Sequence, residues 1–225
     1  MVRTALVSLL LLGAASPTVA QSAWSVGGVA GVVSDYRFRG FSLSDEDPAM
    51  QAGLTLSHAS GFYGDVFVSS IDEYGIGNDG DGADAEITGS IGWEGILAGF
   101  DVDAAVSAYQ YPDGDDVNYL EAPVQIGQTV RDVTWTLGFA YAPAQTALGD
   151  EDNRYGWAGL AYAPQTWSIS LSGSIGYEDG ALAPEGKTDW AFGVAHEFGP
   201  TTLGLTWVDS DADDGALVAS VFLNF

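Results

Sequence analysis

The sequence predicts an all-β protein, a transmembrane antiparallel up-and-down β-barrel of twelve strands. Three observations carry this. Apolar and small polar residues alternate with period two, long and short connectors alternate, and the chain closes on an amphipathic segment ending at Phe225.

The alternation is clearest over 166–177, where Trp167, Ile169, Leu171, Ile175 and Tyr177 share one face. The opposite face holds Thr166, Ser168, Ser170, Ser172, Ser174 and Gly176. Residues 133–141 split the same way, with Val133, Trp135, Leu137, Phe139 and Tyr141 against Thr134, Thr136, Gly138 and Ala140. In a soluble sandwich the outer face would carry long charged side chains, whereas lysine is almost absent here. Large apolar groups facing lipid and small ones facing a lumen fit a closed membrane barrel, which pairs every backbone group within the bilayer.

Strands are predicted at 24–39, 49–57, 62–71, 85–93, 99–111, 118–126, 133–142, 154–163, 166–177, 188–198, 201–208 and 215–225. The connectors 40–48, 72–84, 112–117, 143–153, 178–187 and 209–214 are the longer ones, and those between them are tight turns. Most acidic residues fall in the longer loops, so one rim of the barrel should be strongly negative. Ahead of the barrel, residues 1–20 carry Arg3, an apolar run from Ala5 to Ala15 and Thr18-Val19-Ala20 before Gln21, the pattern of a cleaved secretory leader. The barrel domain is then 21–225.

Composition excludes several classes. The 225 residues hold 31 acidic against 6 basic side chains, for a net charge of −25, so a nucleic-acid partner would meet a repulsive field. With no cysteine, a disulfide framework is ruled out. With 47% hydrophobic residues, the chain has too much to bury to remain disordered.

The segment Val33-Ser34-Asp35-Tyr36-Arg37-Phe38-Arg39-Gly40-Phe41-Ser42 is followed by Asp45, Asp47-Pro48-Ala49 and Ser57-His58-Ala59-Ser60-Gly61-Phe62-Tyr63. These words resemble the opening of the TorF-type porins, also described as the Gcw_chp family of conserved hypothetical outer-membrane proteins. The resemblance covers about the first quarter of the mature chain and implies an outer-membrane barrel with a pore role, without naming a solute.

Candidate site residues follow from parity and height. Asp35, Arg37, Arg39, Asp65, Glu86, Asp101, Asp103 and Glu121 are the pore-lining candidates. Arg37 and Arg39 either set a transverse field with the lumen carboxylates or neutralise buried Asp and Glu as a plug of side chains. Small inward residues, among them Gly27, Gly31, Gly53, Gly89, Gly138, Gly193 and Gly204, leave space in the lumen. Trp24, Tyr36, Phe38, Trp135, Tyr141, Trp167, Tyr177, Trp190, Trp207 and Phe225 are the membrane-interface aromatics. The only histidines, His58 and His196, sit on the lipid-facing parity, and no GxSxG, HExxH or phosphate-loop pattern is present. The oxygen-rich stretch 78–86 lacks the ligand spacing of an EF-hand.

The function expected is passive diffusion of small solutes across the outer membrane of a Gram-negative bacterium, with cations preferred, and no enzymatic activity, cofactor or metal. The alternatives are a non-conducting barrel whose acidic loops contact divalent ions or lipopolysaccharide, and a barrel lipid hydrolase using His58 or His196. Expected partners are outer-membrane lipids and lipopolysaccharide, small solutes or cations, and the barrel assembly machinery through Phe225.

Overall fold

A computed structural model describes residues 23–75 and 82–225. The predicted leader, 1–20, lies outside the described residues, as do 78–81 of the oxygen-rich loop.

Strand β1 (Trp24–Val33) is followed by a two-residue pair, β2 (Arg37–Phe38) and β3 (Phe41–Ser42). Then come β4 (Ala49–His58), β5 (Phe62–Tyr74), β6 (Ala83–Leu97), β7 (Phe100–Gln110), β8 (Tyr119–Val130) and β9 (Val133–Ala142). The chain continues with β10 (Asn153–Tyr162), β11 (Ile169–Gly180), β12 (Ala183–Phe198), β13 (Thr201–Ser210) and β14 (Ala216–Asn224). Except for β2 and β3, every strand pairs antiparallel with its sequence neighbours, and β1 pairs with β14 to close a twelve-stranded barrel. This is the fold the period-two pattern predicts.

Closure is completed by the terminal residue. Phe225 and Gly28 exchange backbone hydrogen bonds of 2.8 and 3.0 Å, extending the β1–β14 ladder by one step. The Phe225 ring lies where a Cβ on residue 28 would stand, so a larger residue there would displace the ring.

The outer face is an apolar belt. Ile91, Leu160 and Phe192 are 76%, 61% and 63% exposed on it. In water each such side chain would forgo about 1.5–3 kcal/mol of burial, so the belt is the face expected to meet lipid. Trp24, Trp167 and Phe225 stand at the short-turn end of this face, and Tyr141, Tyr177, Trp190 and Trp207 near the long-loop end. Trp135 also lies outside, two residues from the short turn before β9, edge-on to Phe100.

The structure corrects five expectations. The first strand ends at Val33, not at 39. From Ser34 the chain leaves the wall and folds into the barrel mouth, so Tyr36 and Phe38 are not interface anchors; Tyr36 is buried and packs against Phe67 of the inner wall. The connector drawn at 178–187 is a two-residue turn, Ala181-Leu182, because Glu178 and Lys187 pair in register and prolong the β11–β12 hairpin. The ninth strand begins at Ile169, which leaves Trp167 in the preceding turn. Gly89 faces outward, in register between Val66 and Ala108, because Glu86 fixes the inward parity of β6.

With the outer face given to apolar side chains, the buried core lies inside the barrel. Tyr36, Tyr109, Tyr111, Tyr119, Val208 and Phe222 belong to it.

Candidate functional site

The mouth is filled by the loop between β1 and β4. Its tip is the β2–β3 hairpin, in which Phe38 pairs with Phe41 and Arg39 and Gly40 form the turn. Both turn residues have positive φ, 51° and 89°, the backbone a tight two-residue hairpin needs. Gly40 adopts it freely, while for Arg39 it is a strained conformation held by the side chain's partners.

Those partners are carboxylates projected inward from two walls. Arg39 Nη2 donates to Glu121 Oε2 on β8 at 2.6 Å, and Nη1 donates to Glu178 Oε1 on β11 at 2.7 Å. The guanidinium also lies 4.2 Å from the Tyr155 ring centroid and 4.7 Å from that of Phe38. Burial opposes its charge, but Glu121 and Glu178 outweigh that and hold the Arg39 pKa above the ordinary arginine value.

Lys187 is the chain's single lysine, and it is 1% exposed. Its ammonium donates to the Arg39 carbonyl at 2.6 Å, pairs with Glu178 at 2.8 Å, and stands 4.2 Å over the Phe41 ring. Arg37 donates through Nε to Asp35 at 2.5 Å and through Nη1 to the carbonyls of Gly40 and Asp214. The Tyr36 hydroxyl donates to Glu86, which also accepts from Tyr111 and Thr88. Burial first, and the Glu86 charge second, raise the Tyr36 hydroxyl pKa well above its usual value, so it stays a donor. The loop is thus fastened by ionic and aromatic contacts to strands from opposite sides of the barrel.

Beneath this plug lies a cavity of about 60 Å³, bounded above by Tyr36 and Phe38. Its walls bring together Asp65, Asp103, Gln125, Phe67, Tyr63 and Trp157. Tyr63 donates to one Asp103 oxygen at 2.8 Å and Gln125 to the other at 3.4 Å. Glu94 of β6 stands in register with Asp103 of β7, like charges side by side on the inner face. Trp157 lies flat over Gly138, where a Cβ would come within 2.0 Å of the ring, and stacks on Tyr155 at 5.6 Å.

The structure gathers Asp35, Arg37, Arg39, Glu86 and Glu121 in the mouth and puts Asp65 and Asp103 in the cavity below. Asp101 shares the inward parity but sits next to the turn before β7, exposed. Sequence reasoning missed Glu178, Lys187, Tyr155, Trp157 and Glu94 as members of the site. The first two had a usable signal: a lone lysine in an acidic chain, and inward parity carried on from Ser172 and Ser174 to Glu178.

His58 Nδ1 is hydrogen-bonded to the Ser60 hydroxyl at 2.7 Å, and its ring packs on Trp24 at 4.6 Å. Among the described residues, no group of three or more His, Asp or Glu side chains is arranged to hold a metal ion.

Solved structures share this architecture at low sequence identity. A KdgM porin superposes with a TM-score of 0.61 at 9% identity, covering 88% of this chain and 99% of its own. The COG4313 outer membrane channel from Pseudomonas putida F1 gives 0.56 at 11% identity over 92% of this chain and 97% of its own. A NanC porin gives 0.53 at 10% identity, over 89% and 98%. At these identities the likeness is one of fold. No curated protein matches the chain. The family model described as "Bacterial protein of unknown function (Gcw_chp)" matches residues 17–222, a description without the TorF-type label, and the chain belongs to that family.

Proposed function

We propose that this protein is an outer-membrane channel of a Gram-negative bacterium through which small solutes diffuse passively, with cations preferred. The observation that carries the reading is the inner wall below the plug. Asp65, Glu94 and Asp103 project inward there, and among the described residues no basic side chain lines the cavity. Low-dielectric walls lined by one sign of charge focus the potential, raising the local concentration of counter-ions and repelling co-ions. The barrel likeness to porins and an outer membrane channel supports the same reading.

On this account residues 1–20 direct export, 21–225 form the barrel, and Phe225 serves as the terminal signal for the assembly machinery. The apolar belt and rim contact outer-membrane lipids and lipopolysaccharide. His58, engaged by Ser60 and Trp24, acts as an interfacial residue with no catalytic part.

The filled mouth favours a second reading, a barrel that does not conduct. Planar-bilayer recordings of the refolded mature protein under a potassium chloride gradient separate the two. Discrete steps with a cation-selective reversal potential support the channel, and silence from folded protein supports the closed barrel.

A further inference from the structure

We propose that the cavity below the first loop binds organic cations, a guanidinium or alkylammonium solute. This deepens the channel reading above and rests on it for how the solute reaches the site.

The mouth supplies a worked instance of the chemistry. There the protein's own cations sit against aromatic faces and between carboxylates. Arg39 rests on Tyr155 and Phe38 with Glu121 and Glu178 at its nitrogens, and Lys187 rests over Phe41 on Glu178. The cavity beneath brings together the same two kinds of side chain. Trp157, Phe67 and Tyr63 supply rings, and Asp65 and Asp103 supply carboxylates. Among the described residues, the side chains lining it include no Lys, Arg or His.

Each part selects for the same ligand class. A ring face attracts a cation, most strongly where water is excluded. A hydrated inorganic ion would use the carboxylates but leave the rings idle. A neutral sugar would stack on Trp157 and bond to Gln125 but leave the negative charge unanswered. An acidic sugar would meet Asp65, Asp103 and Glu94. An organic cation satisfies both parts, and it also offsets the repulsion between Glu94 and Asp103, which stand in register on adjoining strands. A cavity of about 60 Å³ suits a charged head group with its chain trailing toward the short-turn end of the barrel.

The test is isothermal titration calorimetry of the refolded mature protein in detergent micelles at low salt, with agmatine as probe and potassium, glucose and galacturonate as comparators. Circular dichroism checks that each variant retains its sheet. Agmatine is expected to bind about tenfold more tightly than any comparator, and Asp103→Asn, Asp65→Asn and Trp157→Leu each to weaken it about fivefold or more. The rim variant Asp113→Asn/Asp116→Asn should leave binding unchanged. Should Trp157→Leu not fold, the two carboxylate variants and the rim control carry the test. Equal binding of agmatine and potassium overturns the proposal, as does tighter binding of glucose. So does agmatine binding that responds to the rim variant but not to Asp103→Asn. Agmatine binding without conductance leaves this site standing and removes the channel, whereas cation-selective conductance with no preference for agmatine does the reverse.

Discussion

The two halves of the lumen are built from the same residue types and behave as opposites. In the long-loop half, Glu121 and Glu178 are met by Arg39 and Lys187 at hydrogen-bonding distance, and the space is filled. In the short-turn half, Asp65 and Asp103 line a cavity, with Glu94 in register beside Asp103, and among the described residues the cavity lining holds no basic side chain. Three of the chain's six basic residues, Arg37, Arg39 and Lys187, lie in the first half. The comparison teaches that a scarce cation in an acidic chain is a structural resource: where it is placed, buried carboxylates are paired and the mouth is filled.

The comparison breaks most visibly at Arg39. Replacing it with alanine leaves the buried Glu121 without its cation and Glu178 with Lys187 alone, so Arg39→Ala should destabilise the barrel by about 3–5 kcal/mol and free the loop from the mouth. Single-channel conductance should rise, and the unfolding midpoint in urea should fall. An unchanged conductance would show that the loop does not obstruct the path.

A smaller effect is expected from the packing of the inner wall. Gly138→Leu must displace the Trp157 ring, at an overpacking cost of about 1–3 kcal/mol. Gly27 has nothing within 4 Å of its missing Cβ, so Gly27→Ala should change stability by less than about 0.5 kcal/mol. Denaturant midpoints of the two variants check the difference.

In the short-turn half the sign of the stability effect should differ from that in the mouth. Glu94→Gln removes one of two adjoining like charges and should hold or raise stability, by up to about 1 kcal/mol, while lowering cation selectivity. Smallest of all, Arg154→Ala removes an exposed pair with Asp152 at 2.7 Å and should leave both unfolding and conductance unaltered.

How much of this was legible in the sequence depends on periodicity. Twelve strands and the alternation of β9, β11 and β13 were readable because each has one oily face. β10 was harder: Tyr155 and Trp157 point inward while Leu160 and Tyr162 point out, so its apolar residues change parity midway and conceal a lumenal tryptophan. The loop was misread for a related reason. Tyr36 and Phe38 continue the outward parity of β1, and only Gly40, with a positive φ at a hairpin tip, signals that the chain has left the wall. The choice left open for Arg37 and Arg39 turned on neighbouring Asp35 for the first and on distant Glu121 and Glu178 for the second, which no local pattern connects to Arg39. Site residues brought together by barrel closure, such as Lys187 with the Arg39 carbonyl, are legible only in three dimensions.

The central claim is that the acidity of the wall below the plug sets ion preference. Its most direct measurement is the reversal potential of the refolded protein in a planar bilayer under a tenfold potassium chloride gradient, compared with that of Asp65→Asn/Glu94→Gln/Asp103→Asn. The account predicts a cation-selective potential that collapses toward zero in the triple variant. A potential that is anion-selective, or that the triple variant leaves unchanged, would contradict it.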